Sequence, residues 1–188
     1  MRKIAIVAFG LFFSATLAFA QIPTSGNVFV GYSFEHTDWS GLDSGLSRPN
    51  LNGWGASLEG KVFPHLGIVT DFASHYGSQS FTLATPNGFQ TENVTGHEWE
   101  IFFGPRLSVS VGKFTPFAEG MVGIAHIHNG GTLPSSSNTS FASAVGGGLD
   151  YRLIRLVAVR IQADYLNTRF FNTSQNAMRL STGIVLRF

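Results

Sequence analysis

From Gly26 to the end of the chain, apolar and polar positions alternate with a period of two, segment after segment, and no window of helical length keeps an apolar face at three-to-four spacing. The final stretch is the clearest. Met178, Leu180, Thr182, Ile184, Leu186 and Phe188 share one parity, and Arg179, Ser181, Gly183, Val185 and Arg187 the other, which predicts a strand over residues 177 to 188. The same division runs through Val157, Val159, Ile161, Ala163 and Tyr165, set against Ala158, Arg160, Gln162 and Asp164. Trp54, Ala56, Leu58 and Val62 oppose Gly53, Gly55, Ser57, Glu59 and Lys61. Val28, Val30, Tyr32 and Phe34 oppose Gly31, Ser33 and Glu35, and Trp99, Ile101, Phe103 and Leu107 oppose Glu98, Glu100, Gly104 and Arg106. Less regular versions run from Leu66 to Tyr76, Pro116 to Ile127 and Phe141 to Tyr151, so eight strands are expected.

The spacers alternate in length. Residues 38 to 50, 78 to 93, 128 to 139 and 167 to 176 are long and rich in Ser, Asn, Gly and Thr, whereas Pro64-His65, Ser110 to Phe114 and Arg152 to Arg155 are short. Each short spacer predicts a tight turn, so long loops should leave one end of the assembly and tight turns the other.

Composition decides which face meets what. The chain has 188 residues with 44% hydrophobic, 12% charged, 22 Gly, 18 Phe and no Cys. This charge content is about half the roughly 25% usual in soluble proteins. A disordered tail, a disulfide scaffold and a thiolate metal site are excluded, and a formal charge of +1 implies no basic surface for nucleic acid. An eight-stranded barrel has an interior just wide enough for packed side chains. Rings of Phe, Trp, Tyr and Leu from eight strands would overfill it, whereas Gly, Ala and Ser with a few charges would not. The bulky parity is therefore expected to face lipid, with Tyr32, Trp54, Tyr76, Trp99, Tyr151, Tyr165 and Phe188 as an aromatic girdle. Strands of about 10 residues cross a bilayer when tilted, and closure leaves no unpaired backbone edge in hydrocarbon.

At the N-terminus, Arg2 and Lys3 precede an apolar run from Ile4 to Phe13, and Ala18-Phe19-Ala20 has small residues where a signal peptidase reads. Residues 1–20 read as a signal peptide and 21–188 as a barrel domain. Cleavage before Gln21 removes two positive charges and takes the formal charge to −1.

Across residues 21 to 188 the chain resembles the small outer-membrane barrels of Gram-negative bacteria, the OmpA-type and opacity-type porin-like group. The resemblance rests on the signal peptide, the eight alternating segments with long and short connections, and a last strand from Leu180 to Phe188 ending in an aromatic residue. It implies location in the cell outer membrane, long loops outside the cell and short turns in the periplasm. It also implies contact with outer-membrane lipid and lipopolysaccharide, and recognition of Leu186 and Phe188 by the barrel assembly machinery. The chain departs from larger members in stopping at Phe188, so no peptidoglycan-binding domain is expected.

The candidate chemistry lies on the lumen parity. Glu35, Glu59, Asp71, Glu98, Glu100, Glu119, Asp150 and Asp164 face Lys61, Arg106, Arg152, Arg160, Arg179 and Arg187 in near balance. Charges shut in a narrow interior must pair or neutralise, which predicts a salt-bridge network plugging the barrel, with a narrow pore as the alternative. His36, His75, His97, His126 and His128 are expected near the outer strand ends and His65 at a turn. His97 roughly opposite His126, with His128 beside it, makes a metal site geometrically possible; lipid headgroup or water contact is the simpler role. No cofactor is expected.

Some barrels of this size are lipid A deacylases or acyltransferases, and His97, Glu98 and Ser74 or Ser78 supply base, acid and nucleophile types. The deacylase-like His-x-Ser pairing is replaced here by His126-Ile127-His128, and the chain is read as not an enzyme. Gly146-Gly147-Gly148 and Asn129-Gly130-Gly131 open no helix after a strand, so they read as thin packing and a loop turn rather than phosphate cradles. The expected function is structural or surface interaction through the outer loops, where Phe81, Phe89, Leu133, Phe170 and Phe171 sit among polar residues and could meet a surface ligand. A soluble lipocalin-like carrier is the rival from another class and requires the opposite face assignment.

Overall fold

The computed structural model describes residues 25–37, 50–85, 88–131, 136–169 and 174–188; side chains at 37, 79–85, 88–94, 129–131 and 136 are not described. Eight antiparallel strands follow one another around a closed barrel: β1 Gly26–Thr37, β2 Asn50–Lys61, β3 Leu66–Thr85, β4 Gly88–Ser108, β5 Phe114–Gly131, β6 Ser136–Arg152, β7 Val157–Thr168 and β8 Gln175–Arg187. Each strand pairs with its neighbours in sequence. Closure comes from β1 against β8, in register from Asn27↔Arg187 to Thr37↔Ala177.

Three equal turns occupy one end. Phe63 and Leu66, Val111 and Phe114, and Ile154 and Val157 each exchange backbone hydrogen bonds around two intervening residues. Gly112, at φ 63°, occupies the left-handed position that such a two-residue turn requires. The other end carries the longer connections. One of these differs from expectation: residues 78–93 read as a loop, yet β3 and β4 stay paired from Gly77↔Gly96 out to Thr85↔Gly88. The apolar alternation fades in the sequence beyond Tyr76, while the backbone ladder continues. β5 and β6 likewise remain paired to Asn129↔Ser136. Residues 1–20, expected to be a signal peptide, and Leu133, Phe170 and Phe171, lie outside the described residues, as do the side chains of Phe81 and Phe89.

The parity assignment is realised strand by strand. Leu180, Ile184 and Phe188 are 46%, 47% and 57% exposed, whereas Arg179 and Asp164 are 1% exposed. Tyr32, Trp54, Tyr76, Tyr151 and Tyr165 also project outward. This is the inverse of a soluble carrier, whose apolar side chains would fill the interior.

The interior is not lined by small and charged residues alone. Phe29, Phe102 and Phe117, with Leu51, Val69, Met121, Ile127, Leu166 and Val185, also point inward and are buried. Glycine on the same wall makes the room. A methyl at Gly31 would lie 2.8 Å from Phe29 Cζ, and one at Gly148 2.7 Å from Phe117 Cζ. Gly148→Ala is therefore expected to lower unfolding stability by about 1–3 kcal/mol through overpacking. Gly120 faces outward with nothing within 4 Å of an added methyl, so Gly120→Ala should stay within about 0.5 kcal/mol. Urea unfolding of both variants in micelles separates the two outcomes.

Candidate functional site

Because β-strand side chains alternate, each strand delivers its odd or even residues to the lumen, and the closed register stacks them into two layers. The layer nearer the turns is built on Arg106 of β4 and Arg160 of β7. Arg106 Nη2 lies 2.5 Å from Glu119 Oε2, and its Nη1 3.2 Å from Glu59 Oε2. Lys61 sits 2.8 Å from the other Glu59 oxygen and donates to Ser108. Arg160 Nε donates to Asp150 Oδ1 at 2.7 Å, and its Nη2 to Asp150 Oδ2 and Asn27 Oδ1 at 3.0 and 3.2 Å. Both guanidiniums lie over the Phe117 ring, at 4.4 and 4.7 Å from its centroid, and Arg160 also lies 5.2 Å from that of Phe29. Planar, weakly hydrated guanidinium suits such a sandwich, which explains why arginine and interior phenylalanine occur together.

The layer nearer the loops is built on Arg179 of β8. Its Nη1 lies 2.8 Å from both Asp71 Oδ1 and Glu100 Oε1, and its Nη2 2.8 Å from Asp164 Oδ2. Gln162 donates to Glu119 Oε1 and Asp164 Oδ2, both at 2.8 Å, and so links the two layers. Beyond Arg179, Glu35 Oε2 lies 3.2 Å from His75 Nδ1, and His75 Nε2 is 2.8 Å from Ser33 Oγ. Glu98 stands beside His75 in the β3–β4 register. The three arginines thereby tie all eight strands together: Arg179 joins β8 to β3, β4 and β7; Arg106 joins β4 to β2 and β5; Arg160 joins β7 to β1 and β6.

Each of Glu35, Glu59, Asp71, Glu98, Glu100, Arg106, Glu119, Arg160, Asp164 and Arg179 is buried on the lumen side. Arg152 is different. It is exposed at a turn and donates to the Gly112 carbonyl at 2.8 Å, because β6 ends there and its side chain reaches over the β5 turn rather than into the barrel. His75 differs as well: it shares the parity of Asp71 and is a fully buried lumen residue, not a rim histidine.

On the outer wall near the loops, the register shifts the expected histidine pairing by two positions, with His97↔His128 and Trp99↔His126. His97 stacks on Tyr76 at 4.4 Å, and its Nε2 lies 3.0 Å from Ser74 Oγ. His126 stacks on Trp99 at 5.3 Å, and its Nδ1 lies 2.7 Å from Thr139 Oγ1. Among the described residues, His97, His126 and His128 do not form a group of three ligating atoms; the group found is Glu35, His75 and Glu100, inside the lumen. Ser74 and His97 do meet, but Glu98, adjacent in the strand, projects through the opposite face. A triad of Ser74, His97 and Glu98 is thus not assembled, and Ser74 is only 3% exposed.

Leu186 and Phe188 face outward, 54% and 57% exposed. No family model matches the chain, and no curated protein matches it in sequence. Solved structures do match in shape. Neisserial surface protein A is 14% identical, with 87% of this chain and 97% of that chain covered and a TM-score of 0.65. Ail, the attachment invasion locus protein of Yersinia pestis, solved in complex with the heparin analogue sucrose octasulfate, is 16% identical. There 87% of this chain and 98% of that chain are covered, with a TM-score of 0.58. This chain therefore shares the small closed-barrel fold of these bacterial proteins.

Proposed function

We propose that the chain is an outer-membrane barrel protein with a structural or surface-interaction role, its lumen plugged by the arginine–carboxylate network and its loop end turned away from the cell. The observation that carries this reading is the pairing of an apolar, aromatic-rimmed outer wall with an interior filled by Arg106, Arg160, Arg179, their carboxylates and three phenylalanine rings. Lipid and lipopolysaccharide are then the solvent of the outer wall, and the barrel assembly machinery engages the last strand with Leu186 and Phe188. Non-enzymatic function is supported by the covered Ser74 and the opposed faces of His97 and Glu98.

Two measurements test the reading. Cell fractionation is expected to recover the chain with the outer membrane; recovery in the soluble periplasm contradicts it. In planar bilayers the purified protein is expected to show no steady ion conductance, because the arginine side chains and Phe29, Phe102 and Phe117 span the bore. Reproducible conductance steps from the purified protein would replace the plug with a pore.

A further inference from the structure

The two lumen layers differ in charge. Near the turns, three acids, Glu59, Glu119 and Asp150, meet three cations, Lys61, Arg106 and Arg160. Near the loops, the described lumen residues include five acids, Glu35, Asp71, Glu98, Glu100 and Asp164, with Arg179 as the one guanidinium and His75 as the one imidazole. Asp71, Glu100 and Asp164 share Arg179. The negative excess thus gathers around His75.

Carboxylates withdrawn from water must pair, take up a proton or coordinate a metal. Here ligand atoms of Glu35, His75 and Glu100 already lie within 4.8 Å of one another. A separate observation points the same way: Glu98 is 2% exposed, and its Oε2 has no hydrogen-bond partner. The charges of Glu35 and Glu100 act directly on that carboxyl. Ligands about 2.1 Å from a tetrahedral metal stand about 3.4 Å apart, so small side-chain rotations bring Glu35, His75 and Glu100 to coordination distance, and Glu98, the cross-strand partner of His75, supplies the further carboxylate.

We propose that Glu35, His75, Glu98 and Glu100 form a divalent-cation site in the loop-side half of the lumen. An imidazole among carboxylates selects the transition-metal class, Zn²⁺ or Mn²⁺, over Ca²⁺ and Mg²⁺, whose sites are built from oxygen alone. The ion ties β1, β3 and β4 together at the level where Arg179 ties β3, β4, β7 and β8. The site stands whether the lumen conducts or is closed, so its failure and that of the plug reading are read separately.

The test uses the full barrel, refolded in lipid nanodiscs with and without ZnCl2 and then dialysed. Bound metal is measured by mass spectrometry and stability by thermal unfolding. Wild type is expected to retain one zinc per chain and to unfold at higher temperature with it. Glu98→Gln, which keeps shape and removes charge, is expected to lose at least 10-fold in zinc affinity yet to unfold at higher temperature than wild type when both are metal-free. His75→Gln is expected to lose zinc as well. The double variant His97→Ala/His128→Ala, on the outer wall, should retain it. The proposal is overturned if wild type retains no zinc, if Glu98→Gln and His75→Gln retain it as wild type does, or if only the outer-wall variant loses it. Should His75→Gln not insert, the opposite signs expected for Glu98→Gln with and without metal decide alone.

Discussion

Replacing Arg179 by methionine is expected to destabilise the barrel by about 3–5 kcal/mol, the cost of leaving buried charges without their partner. Arg179 is 1% exposed and holds Asp71, Glu100 and Asp164, which lie on three other strands. Without it the loop-side layer keeps, among the described residues, five carboxylates and no guanidinium. Methionine fills much of the volume, so the loss reports charge rather than a cavity. Arg152 is the control: it is exposed, and Arg152→Met should change stability by no more than about 0.5 kcal/mol. Urea unfolding followed by tryptophan fluorescence measures both. Adding Asp164→Asn and Glu100→Gln to Arg179→Met is expected to recover part of the loss, because it removes the stranded charges.

A second large effect is expected on the opposite face. Val145 of β6 is 61% exposed at mid-strand, and Ile161 of β7 is 66% exposed. On a water-facing surface, arginine at either position would be close to neutral. Against hydrocarbon it should cost about 2–4 kcal/mol at the midplane, falling to about 0–1 near the interfaces. Val145→Arg and Ile161→Arg should therefore each destabilise the folded barrel in bilayers, with the larger loss at the deeper position. A change below about 0.5 kcal/mol at both would mean that this wall does not meet lipid.

Much of the fold is written in strict alternation. In β8 the parity of Leu180 and Ile184 against Arg179 and Ser181 suffices to orient the strand, since one side chain in two must face each way. The same rule covers β1, β2 and β7. Where alternation carries less contrast, less is legible. Beyond Tyr76 the β3–β4 ribbon loses clear contrast, with Phe81, Leu83 and Phe89 set among Ser, Thr, Gln, Asn and Glu, and only backbone pairing identifies it as strand. Thr85-Pro86-Asn87-Gly88 has the composition of a short turn, and that local signal could have located the hairpin tip.

The site divides in the same way. Parity alone places Glu35, Glu59, Glu98, Glu100, Arg106, Arg160, Asp164 and Arg179 inside, and counting by twos from Asp71 would have placed His75 there too. It also separates His97 from Glu98. Pairing partners were not legible, because they depend on strand stagger; a shift of two residues exchanges His126 for His128 opposite His97. The interior phenylalanines were missed because bulk by itself suggested the outer wall. Phe117 fits inside because Gly148, its partner on β6, thins the adjacent wall, a relation between neighbouring strands, and Gly31 leaves room for Phe29 two residues along β1.

The inside-out arrangement is most directly tested by cysteine scanning of residues 178 to 186 in the bilayer, in a chain with no native cysteine. Nitroxide labels at Met178, Leu180, Thr182, Ile184 and Leu186 are expected to be relaxed by lipid-dissolved oxygen and shielded from a water-soluble nickel complex. Labels at Ser181, Gly183 and Val185 should be shielded from oxygen, giving a period of two. Nickel access at 180 and 184 with oxygen access at 181 and 185, or accessibility with no period, would contradict the arrangement.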